Sequence, residues 1–248
     1  MQASGFWAFV SSFKQYARDQ ELCVKGQVTG PFSFGLTVTD EFNRPIIYHQ
    51  AYYEAVVTAL SLHAAWQAAR LKELHPHVLM LIDEPYLASY GSALVSVDRD
   101  LVVRSINEVI NRIHEAGALA GLHCCGNTDW SLLLGTKADI INFDAWGYFE
   151  RFALYPEAVE DFLSRGGVLA WGIVPTLEFT GEETVEDLIV KLENGIRKLA
   201  SKKVSEEFLR QRSLLTSSCG MGLMTVENSK KAMELLAELS KRMREKYF

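Results

Sequence analysis

Cysteine and proline are both scarce in this chain, with 4 and 6 among 248 residues. Cys23, Cys124, Cys125 and Cys219 are too few and too irregularly spaced for a disulfide framework, so in a reducing compartment they are free, metal-bound or catalytic. Basic residues are not in excess: 25 Lys and Arg stand against 31 Asp and Glu, a formal net charge of -6. That balance argues against a nucleic-acid groove and supplies no polybasic membrane patch. No apolar run approaches the ~18 residues of a membrane span, and the opening "MQASGFWAFVSSFKQY" has no basic segment followed by a clean apolar one. The expectation is a cytoplasmic protein whose partners are small molecules or other proteins.

What is present is ordinary globular composition, 48% hydrophobic and 23% charged, enough for a sizeable core. Short apolar runs alternate with long amphipathic stretches, the pattern of β-α units on a parallel sheet. Strands are expected near 22–28, 77–83, 118–124, 139–144, 167–173 and 213–218. Helices are expected near 5–19, 50–73, 99–116, 156–165, 183–200 and 226–245. No linker, repeat or composition shift divides the chain, so residues 1–248 read as one domain. The spacing fits either a doubly wound sheet or most of a (β/α)8 barrel.

Polar residues gather at the carboxyl ends of the expected strands, where parallel α/β proteins build their sites. Thr29-Gly30-Pro31 follows the first strand, Asp83-Glu84-Pro85 the second and "GLHCCGN" the third. Asp144 ends the fourth, and Ser218-Cys219-Gly220 follows the sixth. Side chains alternate along a strand, so His123 and Cys125 face one way and Cys124 the other. Imidazole, thiolate and carboxylate at one end of a barrel suit a zinc shell. His-x-Cys by itself lacks the paired Cys-x-x-Cys spacing of specific zinc motifs, and free cysteine is often a small buried hydrophobe. Cys219 at a second strand end, among small residues, shifts the balance toward metal. Asp83 and Glu84 read equally as solvated or capping carboxylates and as a rim that recognises a cationic group such as an amine. The five tryptophans are most simply core or lid residues, and the closing helix is an amphipathic stripe.

Taken together, "VKGQVTGPFSFG", "LMLIDEPYL", "GLHCCGN", "ADIINFDA" and "SSCGMG" resemble, in that order, the catalytic barrel of cobalamin-independent methionine synthase and the related uroporphyrinogen-decarboxylase-like methyltransferases. The resemblance runs over nearly the whole chain. It implies a TIM-type (β/α)8 barrel and zinc ligands His123, Cys125 and Cys219, with Asp144 at the position of the family's glutamate ligand. It also implies that Asp83 holds the amino group of homocysteine, while Cys124 falls on a variable position. Two folate-handling groups of the family are replaced, a stacking tryptophan by Thr37 and a proton-transferring histidine by Val174. The family's first two β-α units have no counterpart before "ASGFWAF", so the barrel is expected to be incomplete at its N-terminus. Such a barrel would associate with itself, recruit a partner bringing the missing strands, or fold its opening helix over the gap.

The expected activity is zinc-dependent methyl transfer to a thiol, homocysteine first, yielding methionine, from a methyl-corrinoid or corrinoid protein in place of folate. The alternatives are transfer to another thiol such as coenzyme M, whose sulfonate the Asp83 carboxylate would repel, and a non-catalytic zinc-binding subunit.

Overall fold

The computed structural model describes residues 4–17, 23–93, 95–201 and 204–248. Its elements run α1 (Ser4–Tyr16), β1 (Val24–Thr29), α2 (Pro31–Thr37), α3 (Gln50–Lys72), β2 (Val78–Asp83), α4 (Arg99–Glu115) and β3 (Leu119–Cys124). They continue with α5 (Trp130–Leu134), β4 (Ile140–Phe143), α6 (Phe149–Phe152), α7 (Pro156–Ser164), β5 (Val168–Val174), α8 (Val185–Leu199), α9 (Glu206–Gln211), β6 (Ser213–Ser217) and α10 (Val226–Tyr247). All six expected strands form, as do the six long helices. Residues 18–19 of the opening helix and residue 22 of the first strand lie outside the described residues.

The strands follow one another as β1-β2-β3-β4-β5-β6. A doubly wound sheet reverses its strand order at a switch point. No reversal occurs here, so the sequential β/α order of a barrel-type topology is the one adopted.

The chain divides into two compact units that interleave in sequence: Met1–Tyr86 with Val97–Leu122 and Thr136–Asp139, and Leu87–Ser96 with His123–Gly135 and Ile140–Phe248. In the first unit β1 and β2 pair in parallel, Thr29 opposite Asp83. Val78 to Ile82 are buried without interruption, as expected for a parallel strand covered on both faces. Helix α4 begins where the Asp98 side chain accepts the Leu101 N–H, and it buries Val102, Ile106, Val109, Ile110 and Ile113 at helical spacing. Helix α1 rests Phe6 and Trp7 on Trp66 of α3, ring centroids 5.1 and 6.0 Å apart.

In the second unit β4, β5 and β6 are parallel neighbours. The Asn142 side-chain amide of β4 donates to the Ala170 carbonyl and to Thr216 Oγ1 of β6. Phe143 stacks on Phe152 with centroids 4.0 Å apart, and Trp130 meets both rings edge-on. Fully buried aromatics contribute much of a core's transfer free energy. Helix α8 is capped by Thr184, whose hydroxyl accepts the Asp187 N–H, and it carries Glu186 and Asp187 in its first turn with Arg197 and Lys198 in its last. Those charges match the helix dipole.

Candidate metal centre

Three strand ends of the second unit set the geometry. Beyond β3 the chain is clamped where Thr128 Oγ1 donates to the Leu87 carbonyl at 2.7 Å. Gly126 packs so closely there that a Cβ would lie 2.7 Å from that of Ala88. Past β6, the Ser218 N–H donates to the Val174 carbonyl at 2.8 Å, and the Ser218 and Thr176 hydroxyls pair at 3.1 Å. Ser217 Oγ donates to the Cys219 carbonyl at 2.9 Å. Between these ends runs Gly172 of β5, where a Cβ would stand 2.7 Å from the Phe143 carbonyl oxygen and 2.8 Å from Ser218 Cα. Only glycine lets the ends of β4 and β6 come this close to β5.

The result is that His123, Cys125 and Cys219 each offer a ligand atom, all within 4.8 Å of one another. His123 is 9% exposed and both cysteines are half-buried. Cys124 faces the other way, wholly buried, its Sγ 3.7 Å from the Gly126 carbonyl, as strand alternation requires. The Cys219 thiol is lowered to about 4 because Cys125 donates a hydrogen bond to it, with His123 adding a second. The same contact, with burial, pushes Cys125 up. The contact thus favours the thiolate at Cys219 over Cys125, with an imidazole beside the pair.

Two residue types here fit a soft or borderline divalent cation, thiolate and imidazole. A further observation points the same way. His123 Nδ1 is buried and has no hydrogen-bond partner among the described residues, a costly state for a polar atom that a ligated or ligand-bearing site would explain. With three protein donors, a tetrahedral ion would keep one position open.

Asp144, expected as a fourth ligand, is not part of this group. Its Oδ1 accepts the Gly147 N–H at 2.8 Å, which turns the carboxylate into the start of the loop after β4. It remains a neighbour: burial raises its pKa first, and the Cys219 charge raises it further. A shorter side chain than glutamate, tied to its own loop, stops short of the cluster.

Glu84, expected at a substrate rim, is in the interior of the first unit at 0% exposure. Its two oxygens accept the N–H groups of Phe32 and Ser33 at 2.9 and 2.7 Å. These are orphan donors of the first turn of α2, so Glu84 ties the end of β2 to that helix. Its burial pushes the carboxyl up to about 7. Asp83 ends β2 in a half-buried position, and its carbonyl accepts the Gly30 N–H at 2.8 Å. Thr37 is exposed at the end of α2, its hydroxyl donating to the Ser33 carbonyl, and Val174 is buried in β5.

Sequence reasoning passed over Lys191 and read Trp146 most simply as a core or lid residue. The Lys191 Nζ of α8 lies 3.7 Å from the centroid of the Trp146 ring, on the loop that Asp144 opens. No spacing rule connects a helix position to a tryptophan one β-α unit earlier, so no signal in the sequence marked the pair. Comparison with known proteins finds no protein-family model and no curated protein that matches this chain.

Proposed function

We propose that this protein is a zinc-dependent thiol methyltransferase built on an α/β barrel of the methionine synthase and uroporphyrinogen decarboxylase type, with homocysteine as acceptor and a methyl-corrinoid as donor. The observation that carries the reading is the approach of His123, Cys125 and Cys219 at strand ends, with a buried imidazole nitrogen left unpartnered.

When bound, zinc would lower the pKa of an added thiol so that it is held as a thiolate at neutral pH. The chain's own residues do the rest. Cys125 and Cys219 would supply thiolate donors, giving up the proton between them, and His123 would supply an imidazole nitrogen. Asp144 stands outside this set and keeps its carboxylate on the Gly147 N–H. Holding the thiol sulfur in line with the methyl carbon would account for most of the acceleration, as proximity and orientation do in bimolecular reactions.

Elemental analysis of protein purified without chelator tests the reading directly. One zinc per chain is expected, lost in Cys219→Ser and retained in Cys124→Ser. Equal loss in both variants would overturn the assignment of Cys124 to packing, and no metal in the parent would remove the centre. The donor is tested by turnover of homocysteine with methylcobalamin against methyltetrahydrofolate. With Thr37 exposed and Val174 buried where the folate-handling groups would stand, the corrinoid is expected to support turnover and the folate to fail. Efficient use of the folate would overturn the donor assignment.

A further inference from the structure

Lys191 of α8 is a half-buried cation. Arg210, Arg242, Lys198, Lys231 and Lys246 each pair with a glutamate. Lys191 makes no such pair and no hydrogen bond among the described residues, in a chain whose acidic residues outnumber its basic ones. It lies on the stripe of α8 that also carries Leu188 and Gly195, the face turned to the rest of its unit. Gly195 on that stripe is pressed against Trp171 and Phe149, so the helix is held close. The ammonium sits over the Trp146 ring at 3.7 Å, a contact that fixes a cation without neutralising it. Its charged form is disfavoured first by partial burial, and the Asp144 and Glu178 charges only partly offset this without touching it.

The location gives this cation a use. The Trp146 N–H donates to the Gly172 carbonyl at 3.0 Å, and a Cβ on Gly172 would stand 2.8 Å from Ser218 Cα, next to Cys219 in the chain, so the ring that seats the cation is anchored beside the strand end that carries Cys219. A small thiol whose sulfur binds at the cluster would extend its other end into these surroundings. An immobilised, partly dehydrated ammonium with spare N–H donors is the chemistry that binds a carboxylate or sulfonate.

We infer that Lys191, seated on Trp146, is the recognition point for an anionic group, carboxylate or sulfonate, carried by the small thiol that the His123, Cys125 and Cys219 cluster binds. This rests on the metal-thiol reading above and adds to it the charge of the substrate's far end. Asp144 guards the selection. An anion too large to reach the ammonium while clearing that carboxylate would be repelled.

The test uses the full chain loaded with Co²⁺, whose thiolate charge-transfer absorption reports thiol binding. The probes are 3-mercaptopropionate, 2-mercaptoethanesulfonate and neutral 2-mercaptoethanol, and the variants are Lys191→Met and Lys191→Arg. Because hydrogen bonds to charged groups are the stronger class, the parent should bind at least one anionic thiol about tenfold or more tighter than 2-mercaptoethanol. Lys191→Met should bring that ratio to parity, with Co²⁺ content and 2-mercaptoethanol affinity unchanged, and Lys191→Arg should restore it. Which anionic thiol gains identifies carboxylate or sulfonate. Parity in the parent, or a preference that survives in Lys191→Met, overturns the inference while leaving the metal centre intact. If the chain takes up no Co²⁺, the metal reading fails instead. The anion site is then judged in metal-free protein by Trp146 emission, identified with Trp146→Phe. A response to 3-mercaptopropionate or 2-mercaptoethanesulfonate that Lys191→Met abolishes sustains it, and an unchanged response overturns it.

Discussion

Glu84 shows how far a single residue can depart from its appearance in a sequence. A carboxylate after a strand reads the same whether it meets solvent, a ligand or a helix, and Asp83 and Glu84 were indistinguishable by pattern. The fold separates them because Gly30 leaves a hollow that Glu84 fills: a Cβ on Gly30 would be 2.2 Å from the Glu84 carboxyl carbon. The consequence is a pH dependence. The carboxyl is raised to about 7 in the folded chain from 4.5, so the folded state holds a proton that the unfolded state has released. Its contribution to stability is complete below about pH 4.5 and is lost as pH rises through about 7. The urea midpoint should therefore fall between pH 5 and 8, and Glu84→Gln should flatten that slope. The same variant should be less stable by about 1–3 kcal/mol at pH 5, since one backbone N–H then faces an amide N–H. A midpoint that rises over this range in the parent would contradict the assignment.

Among the elements, the long ones were readable and the short ones were not. Helices α4 and α8 carry apolar stripes long enough to show a helical period and begin at Asp98 and Thr184, residues of the N-cap type. Helices α2, α5, α6 and α9 run four to seven residues, too short for any period, although Pro31, Asp129 and Ser205 were available as start signals. Strand β5 is the element on which the site depends, and Gly172 is the residue that lets it serve. Gly172→Ala would push the ends of β4 and β6 off β5, an overpacking that costs about 1–3 kcal/mol. It should also separate Cys219 from Cys125. Thermal unfolding together with metal content checks this: a variant as stable and as metal-loaded as the parent would show that the close approach is dispensable.

At the scale of the whole molecule, metal should be a stabilising ligand. An ion bound only by the folded chain adds RT ln(1 + [L]/Kd), about 2.7 kcal/mol at a hundredfold excess over Kd. Tm should rise on adding Zn²⁺ to chelator-treated protein and should not rise in Cys219→Ser. An equal rise in both would place the metal elsewhere. Helix α1 also bears on the whole chain. Trp7, Phe9 and Tyr16 stay 45%, 42% and 71% exposed although Phe6 and Trp7 touch Trp66. Among the described residues no helix is long and apolar enough to cross a membrane.

The sequence by itself determined the alternation of strands and long helices, because those periods are written in which residues are apolar. It also determined that His123 and Cys125 share a face while Cys124 does not, because strand alternation needs no partner. The tertiary structure decided what depends on contacts between distant segments. It set the sequential strand order, brought Cys219 to the other two ligands, held Asp144 on its own loop and buried Glu84 under α2. It also laid Lys191 across Trp146. Close approach of remote segments shapes several of these, backbone against backbone at Gly172, backbone against the Glu84 side chain at Gly30 and against the Trp171 and Phe149 rings at Gly195, and a distance between remote segments has no period to be read.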